Sequence, residues 1–227
     1  MTDARGQVFA SIRRSLGVTG REAPRREAVD DHIERAPWGI VPQRGQLPAG
    51  ERIALFQTLA EAADASVDRV ASHSDVPAAI ADYLRRQNLP ATVRMGADSR
   101  LQAMPWDKTT LAVTTGRSDG TDLNAVSHAF AGIAESGTVV MVSGEANPTT
   151  LNFLPDNHIV VLNADDVAGD YETVWARIRA ANGKGQMPRT VNWITGPSRS
   201  ADIEQTLLLG AHGPRRLHIL LVEQGSG

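Results

Sequence analysis

A turn rich in glycine and polar side chains lies between the apolar runs 191–194 and 217–222. Four of its residues are candidates for substrate binding: Gly196, Ser198, Arg199 and Asp202. The turn precedes a predicted short helix, whose first N–H groups and positive dipole end favour an anion. Arg199 adds a cation at the same place. The pattern therefore favours binding of a carboxylate or a phosphate, although the same residues also suit ordinary helix capping.

A second candidate turn occupies residues 134–138 and leads into a strongly β-forming run. Glu135 in this turn is a candidate general base or nucleophile. Ser136, Gly137 and Thr138 are candidates for holding the substrate, since hydroxyl groups bind ligands and glycine allows a close approach. In the alternative interpretation Glu135 pairs with an arginine, and the hydroxyls satisfy backbone groups of the turn. We expect both turns to form one polar pocket for a small anion.

The six histidines of the chain show no spacing typical of a metal site. His158 and His218 lie near the starts of predicted strands, so we predict that both are buried and hydrogen-bonded. His212 lies in a loop, from which it could reach a site or a subunit interface. The Walker phosphate-binding motif, the dinucleotide-binding GxGxxG motif and the esterase GxSxG motif do not occur. We therefore predict neither a bound metal nor a bound cofactor.

The elements that must position these residues alternate between helix and strand. Predicted helices cover 51–63, 75–87, 122–131 and 171–182, and predicted strands cover 66–71, 91–95, 111–114, 138–142, 158–162, 191–194 and 217–222. This alternation, with nearly all-apolar strands, indicates an α/β fold in which a mostly parallel sheet has helices on both faces. The last two strands and the helix between them predict a crossover unit with parallel strands.

Residues 1–50 differ in character from the rest, and we predict a boundary there, with the α/β domain at 51–227. The spacing of Val8, Phe9, Ile12 and Leu16 predicts an amphipathic helix over residues 3–16. Four prolines between residues 17 and 50 predict an extended arm. The arm either lies over the domain or docks on a partner chain through Trp38.

Composition excludes several classes of protein. The net charge of −3 argues against a nucleic-acid binder, and no apolar run approaches the ~20 residues that span a bilayer. The amino terminus lacks the continuous apolar core of a signal peptide, so we expect a cytoplasmic protein. The chain has no cysteine, which excludes disulfides, a thiol nucleophile and iron–sulfur clusters held by cysteine.

Three segments together resemble the LUD-domain family: AESGTVV at 134–140, LPDNHIVVL at 154–162 and the run at 194–223. The similarity extends over most of residues 50–223. It implies a NagB/RpiA/CoA-transferase-like α/β fold and a role in a lactate utilization system that oxidises L-lactate to pyruvate. In that system companion proteins carry cysteine motifs for iron–sulfur clusters, so a chain without cysteine corresponds to the cluster-free component.

The resemblance leaves three functions to compare. The first is a component of a lactate-oxidising complex that binds a small carboxylate or organises iron–sulfur partner subunits. The second is a stand-alone CoA-transferase or sugar-phosphate-isomerase-like enzyme, because CoA transferases of the wider fold use a glutamate nucleophile and Glu135 lies in a similar kind of position. The third is a non-catalytic assembly protein that contacts its partners through the amino-terminal arm.

Overall fold

A computed structural model describes residues 3–183, 185–200, 208–209 and 212–223 of the chain. It divides the chain into two compact units, Met1–Ile40 and Val41–Gly227. The candidate residue Asp202 lies outside the described residues. Within the described ranges, no helix has both the length and the apolar character needed to cross a bilayer.

The amino-terminal unit consists of two helices, α1 (Ala4–Leu16) and α2 (Ala23–Arg35). Helix α1 was predicted, and it begins at Asp3, whose side chain accepts a backbone N–H of the first turn. The prediction of an extended arm is wrong over α2. Pro24 lies in the first turn of α2, where a missing N–H costs nothing, and the alanine, arginine and glutamate residues after it favour helix.

The second unit alternates strands and helices along the chain. Its helices are α3 (Ala49–Ala62), α4 (Val76–Arg86), α5 (Ser99–Gln102), α6 (Thr149–Phe153) and α7 (Tyr171–Asn182). Its strands are β1 (Ser66–Val70), β2 (Thr92–Met95), β3 (Ala112–Thr115), β4 (Asn124–His128), β5 (Ala131–Ile133), β6 (Thr138–Val142), β7 (Asn157–Asn163), β8 (Val167–Ala168), β9 (Val191–Ile194), β10 (Arg199–Ser200), β11 (Leu208–Leu209) and β12 (Arg216–Val222).

Six strands form the main sheet, in the order β1-β12-β7-β4-β2-β3, and every neighbouring pair is parallel. A second, mixed sheet has the order β8-β5-β6-β9. Strands β10 and β11 pair with each other in a short antiparallel ribbon. The predicted α/β class with a mostly parallel sheet is confirmed.

The main sheet is covered on both faces, as predicted. One face packs against α4 and α5 through Ile80, Leu84 and Leu101. The other face packs against α3 and the second sheet, where Phe56 and Met141 are fully buried. Helix α7 covers the far side of the second sheet. Alternate residues of β12 therefore enter two different cores, which explains its unbroken apolar sequence.

Two predicted elements are wrong. The predicted helix over 122–131 is instead β4 and the start of β5, and every residue of β4 is buried. Burial on both faces removes the alternation by which a strand is recognised. The predicted crossover unit fails because β9 pairs with β6 in the second sheet, whereas β12 lies between β1 and β7 in the main sheet. Arg199–Ser200 lies on a strand, and the short helix predicted to follow the turn lies outside the described residues.

Two glycine turns pack closely against the C-terminal turn of α3. A side chain at Gly137 would overlap the backbone of Leu59 and Ala60, and one at Gly196 would overlap the carbonyl oxygen of Ala63. Both glycines also have a positive φ, 66° and 72°, which other residues rarely adopt. Glycine is therefore required at both positions, for conformation and for space.

Two buried histidines lie in adjacent strands of the main sheet, as predicted. His158 on β7 contacts the Ser127 hydroxyl at 3.1 Å, and His218 on β12 contacts the Ser66 hydroxyl at 2.8 Å. Burial lowers the pKa of His158 to about 3 and is the main cause that lowers the pKa of His218 to about 4. Both imidazoles are therefore neutral in the folded protein near neutral pH.

We expect the folded state to lose stability as the pH falls. The unfolded chain takes up protons at these histidines below its ordinary histidine pKa of about 6.5, while the folded protein does not until the pH reaches the lowered values. Between about pH 7 and about pH 5 each histidine should remove roughly 2 kcal/mol from the free energy of unfolding. Urea denaturation at several pH values measures this. His218→Gln should reduce the pH dependence, and an unchanged pH dependence in this variant would contradict the prediction.

Gly137→Ala should destabilise the second unit by roughly 2–5 kcal/mol, because the new methyl group overlaps α3 and the backbone is left-handed. The matched control is Gly144→Ala, since Gly144 has no atom within 4 Å of the added carbon and no positive φ. Thermal unfolding of both variants tests the prediction. Equal melting temperatures for the two variants would contradict it.

Candidate functional site

Glu135 lies between the second sheet and the start of α7, with only 4% of its surface exposed. Its Oε1 accepts a hydrogen bond from the Tyr171 N–H at 3.1 Å, and its own N–H donates to the Gly169 carbonyl at 3.1 Å. A carboxylate in this position satisfies a free N–H at the start of a helix and interacts favourably with the helix dipole. These contacts give Glu135 a structural role at α7.

The two candidate turns meet through side-chain hydroxyls. Thr138, which is fully buried, places its Oγ1 at 2.6 Å from the Thr195 Oγ1. The Ser136 Oγ lies 2.7 Å from the same Thr138 oxygen and 2.9 Å from the Tyr171 hydroxyl. Because Thr195 immediately precedes Gly196, this network connects the turn at 134–138 with the turn that follows β9.

A cavity of about 240 Å³ lies beside the second turn. It is lined by Asn152, Phe153, His158, Trp193, Ile194, Thr195, Gly196, Pro197, Ser198, His212, Pro214 and Leu217. Gly196 and Ser198 are thus the two candidate residues in its wall, and His212 is the loop histidine considered above. The lining does not include Glu135, Ser136, Gly137, Thr138 or Arg199. The candidate residues are therefore neighbours but do not share one cavity.

Arg199 contacts the end of α3. Its guanidinium donates to the Ala63 carbonyl, and another of its nitrogens lies 3.5 Å from a carboxylate oxygen of Asp64. A cation at this position satisfies a carbonyl left free at a helix C-terminus. The Ser198 N–H, which we expected to face a ligand, donates to the Pro214 carbonyl at 2.8 Å. The polar groups of this turn thus hold the local structure together.

Three polar side chains from separate elements meet at the cavity. The Ser127 Oγ of β4 lies 3.1 Å from the His158 Nε2 of β7 and donates to the Asn152 Oδ1 of α6 at 3.4 Å. Both cavity-lining members, His158 and Asn152, are 1% exposed. Among the described residues, the His158 Nδ1 and the Asn152 Nδ2 have no hydrogen-bond partner. Unpaired polar atoms are costly in a protein interior, and these two belong to residues that line a cavity, so we take this cluster as the candidate ligand site.

Asn152 and Ser127 were not among the residues predicted to form a site, and His158 was predicted to be a buried, hydrogen-bonded residue. The one available signal was local. Asn152 is a polar residue between Leu151 and Phe153, and Ser127 follows Ala125 and Val126 in a strand that also contains Asn124 and His128. No spacing rule connects residues that lie on a strand, a short helix and another strand. In the part of the chain that the structure describes, no group of three or more acidic or histidine side chains is arranged to hold a metal ion.

A wider cleft of about 530 Å³ adjoins the cavity at the amino ends of β1 and β12, and the two share Pro197 and Leu217. Two arginines line this cleft. Arg215 lies 3.8 Å from an Asp156 carboxylate oxygen, and Arg216 donates to the Asn157 amide oxygen at 3.1 Å. Asp64 and Asp156 line the same cleft, so two carboxylates balance the charges of the two arginines.

Comparison with known proteins identifies relatives of the chain. The family model of the LUD domain matches residues 53–222. Proteins called lactate utilization protein C are similar: that of Geobacillus sp. (strain WCH70) is 40% identical over 91 residues, 40% of this chain and 38% of that relative. That of Geobacillus thermodenitrificans is 31% identical over 73% of this chain and 70% of the relative. That of Anoxybacillus flavithermus is 29% identical over 84% of this chain and 90% of the relative.

A solved structure has the same fold. The crystal structure of a DUF162 family protein from Deinococcus radiodurans superimposes with a TM-score of 0.58 at 22% identity, covering 78% of this chain and 99% of that one. At this low sequence identity, the similarity is evidence for a shared fold and for nothing further. The family match spans nearly all of the α/β unit, from α3 to the last residue of β12. The chain therefore belongs to the LUD-domain family.

Proposed function

We propose that this chain is the cluster-free component of a lactate utilization system that oxidises L-lactate to pyruvate, and that it binds a small carboxylate in the 240 Å³ cavity. The family membership and the names of the relatives, lactate utilization protein C, support the general role. The absence of cysteine supports the division of labour, because iron–sulfur clusters are held mainly by cysteine thiolates. The two electrons removed from lactate would then pass to clusters in partner subunits.

The observation that carries the ligand proposal is the pair of unpaired polar atoms at a small cavity. The Asn152 Nδ2 can donate to a carboxylate oxygen, and the apolar part of a small acid can contact Trp193, Pro214 and Leu217. The volume suits a small acid, whereas drug-sized ligands occupy roughly 300–1,000 Å³.

Glu135 gives no support to a stand-alone CoA-transferase. A nucleophilic carboxylate must reach the substrate, but Glu135 is 4% exposed, lies outside the lining of the cavity and is hydrogen-bonded to the start of α7. We therefore propose that the ligand binds in the cavity and that Glu135 stabilises the start of α7.

Asn152→Ala should weaken binding of L-lactate by roughly 10- to 150-fold, because a hydrogen bond to a charged group is worth roughly 1.5–3 kcal/mol. Isothermal titration calorimetry with the purified full-length chain measures the dissociation constant. Asn163→Ala is the matched control, since Asn163 bonds to Asp166 and does not line the cavity. Equal affinities of the Asn152 variant and the unmodified protein would refute this site.

We also propose that the amino-terminal unit contacts the iron–sulfur partner subunits. Helix α1 leaves a row of apolar side chains at the surface, and Trp38 further along is 58% exposed. Neither α1 nor α2 has a buried residue. An amphipathic helix with an uncovered apolar face gains stability when a partner covers it. This property favours a docking role for the unit, beside the ligand-binding role of the cavity.

Phe9→Ser combined with Ile12→Ser should abolish co-purification of the iron–sulfur partners, because it removes apolar surface that a partner would bury. The melting temperature of the variant, measured in parallel, checks that the protein remains folded. The control replaces Gln7 and Arg14, two exposed polar residues of the same helix, with serine. Retention of the partners by the Phe9 and Ile12 variant would exclude docking through α1.

A further inference from the structure

The hydrogen bonds of Ser127 determine which proton each neighbour carries. A hydroxyl has a single hydrogen, and the Ser127 hydroxyl donates it to the Asn152 Oδ1. At the His158 Nε2, 3.1 Å away, Ser127 must therefore accept, so the hydrogen of the neutral imidazole lies on Nε2. The His158 Nδ1 is left as a bare acceptor, with no partner among the described residues.

The three residues thus form a relay with two free ends. One end, the His158 Nδ1, only accepts a hydrogen bond, and the other, the Asn152 Nδ2, only donates one. Turning the Asn152 amide over reverses every bond in the relay, and it again ends in one acceptor and one donor. In either arrangement a ligand that satisfies both ends must itself offer an acceptor and a hydrogen-bond donor. Both end residues line the same cavity.

We propose that this Ser127–His158–Asn152 relay makes the cavity selective for a 2-hydroxy acid over the corresponding 2-oxo acid. The carboxylate of the ligand accepts from one end of the relay, and its 2-hydroxyl donates to the other. A 2-oxo acid such as pyruvate has only acceptors, so the accepting end of the relay would stay buried and unpaired. This inference rests on the proposed binding of a carboxylate in the cavity and adds the group that distinguishes substrate from product.

The energetic basis is the cost of an unpaired polar atom in a closed site. A site built around a ligand hydroxyl discriminates strongly against an analogue without it, because the protein atom that faced the hydroxyl loses its water and gains nothing. In a system that converts lactate to pyruvate, the cavity would therefore bind lactate, the reduced acid, more tightly than pyruvate, the oxidised product.

Calorimetric titration of the full-length chain with L-lactate, pyruvate and propionate tests the proposal. Propionate has the carboxylate but neither oxygen at the second carbon. We expect L-lactate to bind at least about tenfold more tightly than either of the other two acids. Equal binding of pyruvate and L-lactate would overturn the selectivity while leaving the carboxylate site intact. If none of the three acids binds, the proposed site and this inference both fail.

Two variants address the relay itself. Ser127→Ala frees the imidazole to carry its hydrogen on either nitrogen, so the ratio of pyruvate to L-lactate dissociation constants should fall severalfold towards one. His158→Gln should lower the same ratio by removing the ring nitrogen. The matched control is Ser66→Ala. This substitution removes the Ser66–His218 contact in the same sheet, and Ser66 does not line the cavity. A ratio unchanged in both Ser127→Ala and His158→Gln would refute the role of the relay.

Discussion

The close packing of two glycine turns against the last turn of α3 is the constraint on which the arrangement of the site depends. Gly137 and Gly196 both place main chain against main chain where a side chain has no room. The turns are thereby fixed relative to α3 and to each other. Thr138 and Thr195 then come within hydrogen-bonding distance, and the segment after Thr195 forms one wall of the cavity. The end of α3 thus fixes the positions of the two turns, although α3 itself contributes no residue to the lining of the cavity.

The second constraint is the burial of neutral polar groups inside an apolar sheet. A histidine in a central strand is tolerated because a neighbouring serine satisfies one ring nitrogen and because the ring remains neutral. His158 and His218 each keep one ring nitrogen without a hydrogen-bond partner, but of the two only His158 lines the cavity. Polar atoms left in this state cost stability, and a bound ligand recovers that cost.

The two units of the chain differ in how far their apolar side chains are buried. In Val41–Gly227 both faces of the main sheet and the far side of the second sheet are covered, so the core is complete. In Met1–Ile40 the helices have apolar faces and no buried residue. The first arrangement encloses the cavity, and the second leaves apolar side chains exposed. This difference follows from composition, since the amino-terminal segment contains too few apolar residues to enclose a core.

Local patterns in the sequence determined the α/β class, helix α1, most strands of the main sheet and the burial of His158 and His218, because periodicity, β-branched content and glycine turns act over a few residues. They did not determine the strand at 124–128, the sheet to which β9 belongs or the contacts of Glu135 and Arg199. The local patterns also did not identify the candidate site at Ser127 and Asn152. These features depend on which distant segments become neighbours, and only the tertiary packing of strands and of α3 decides that.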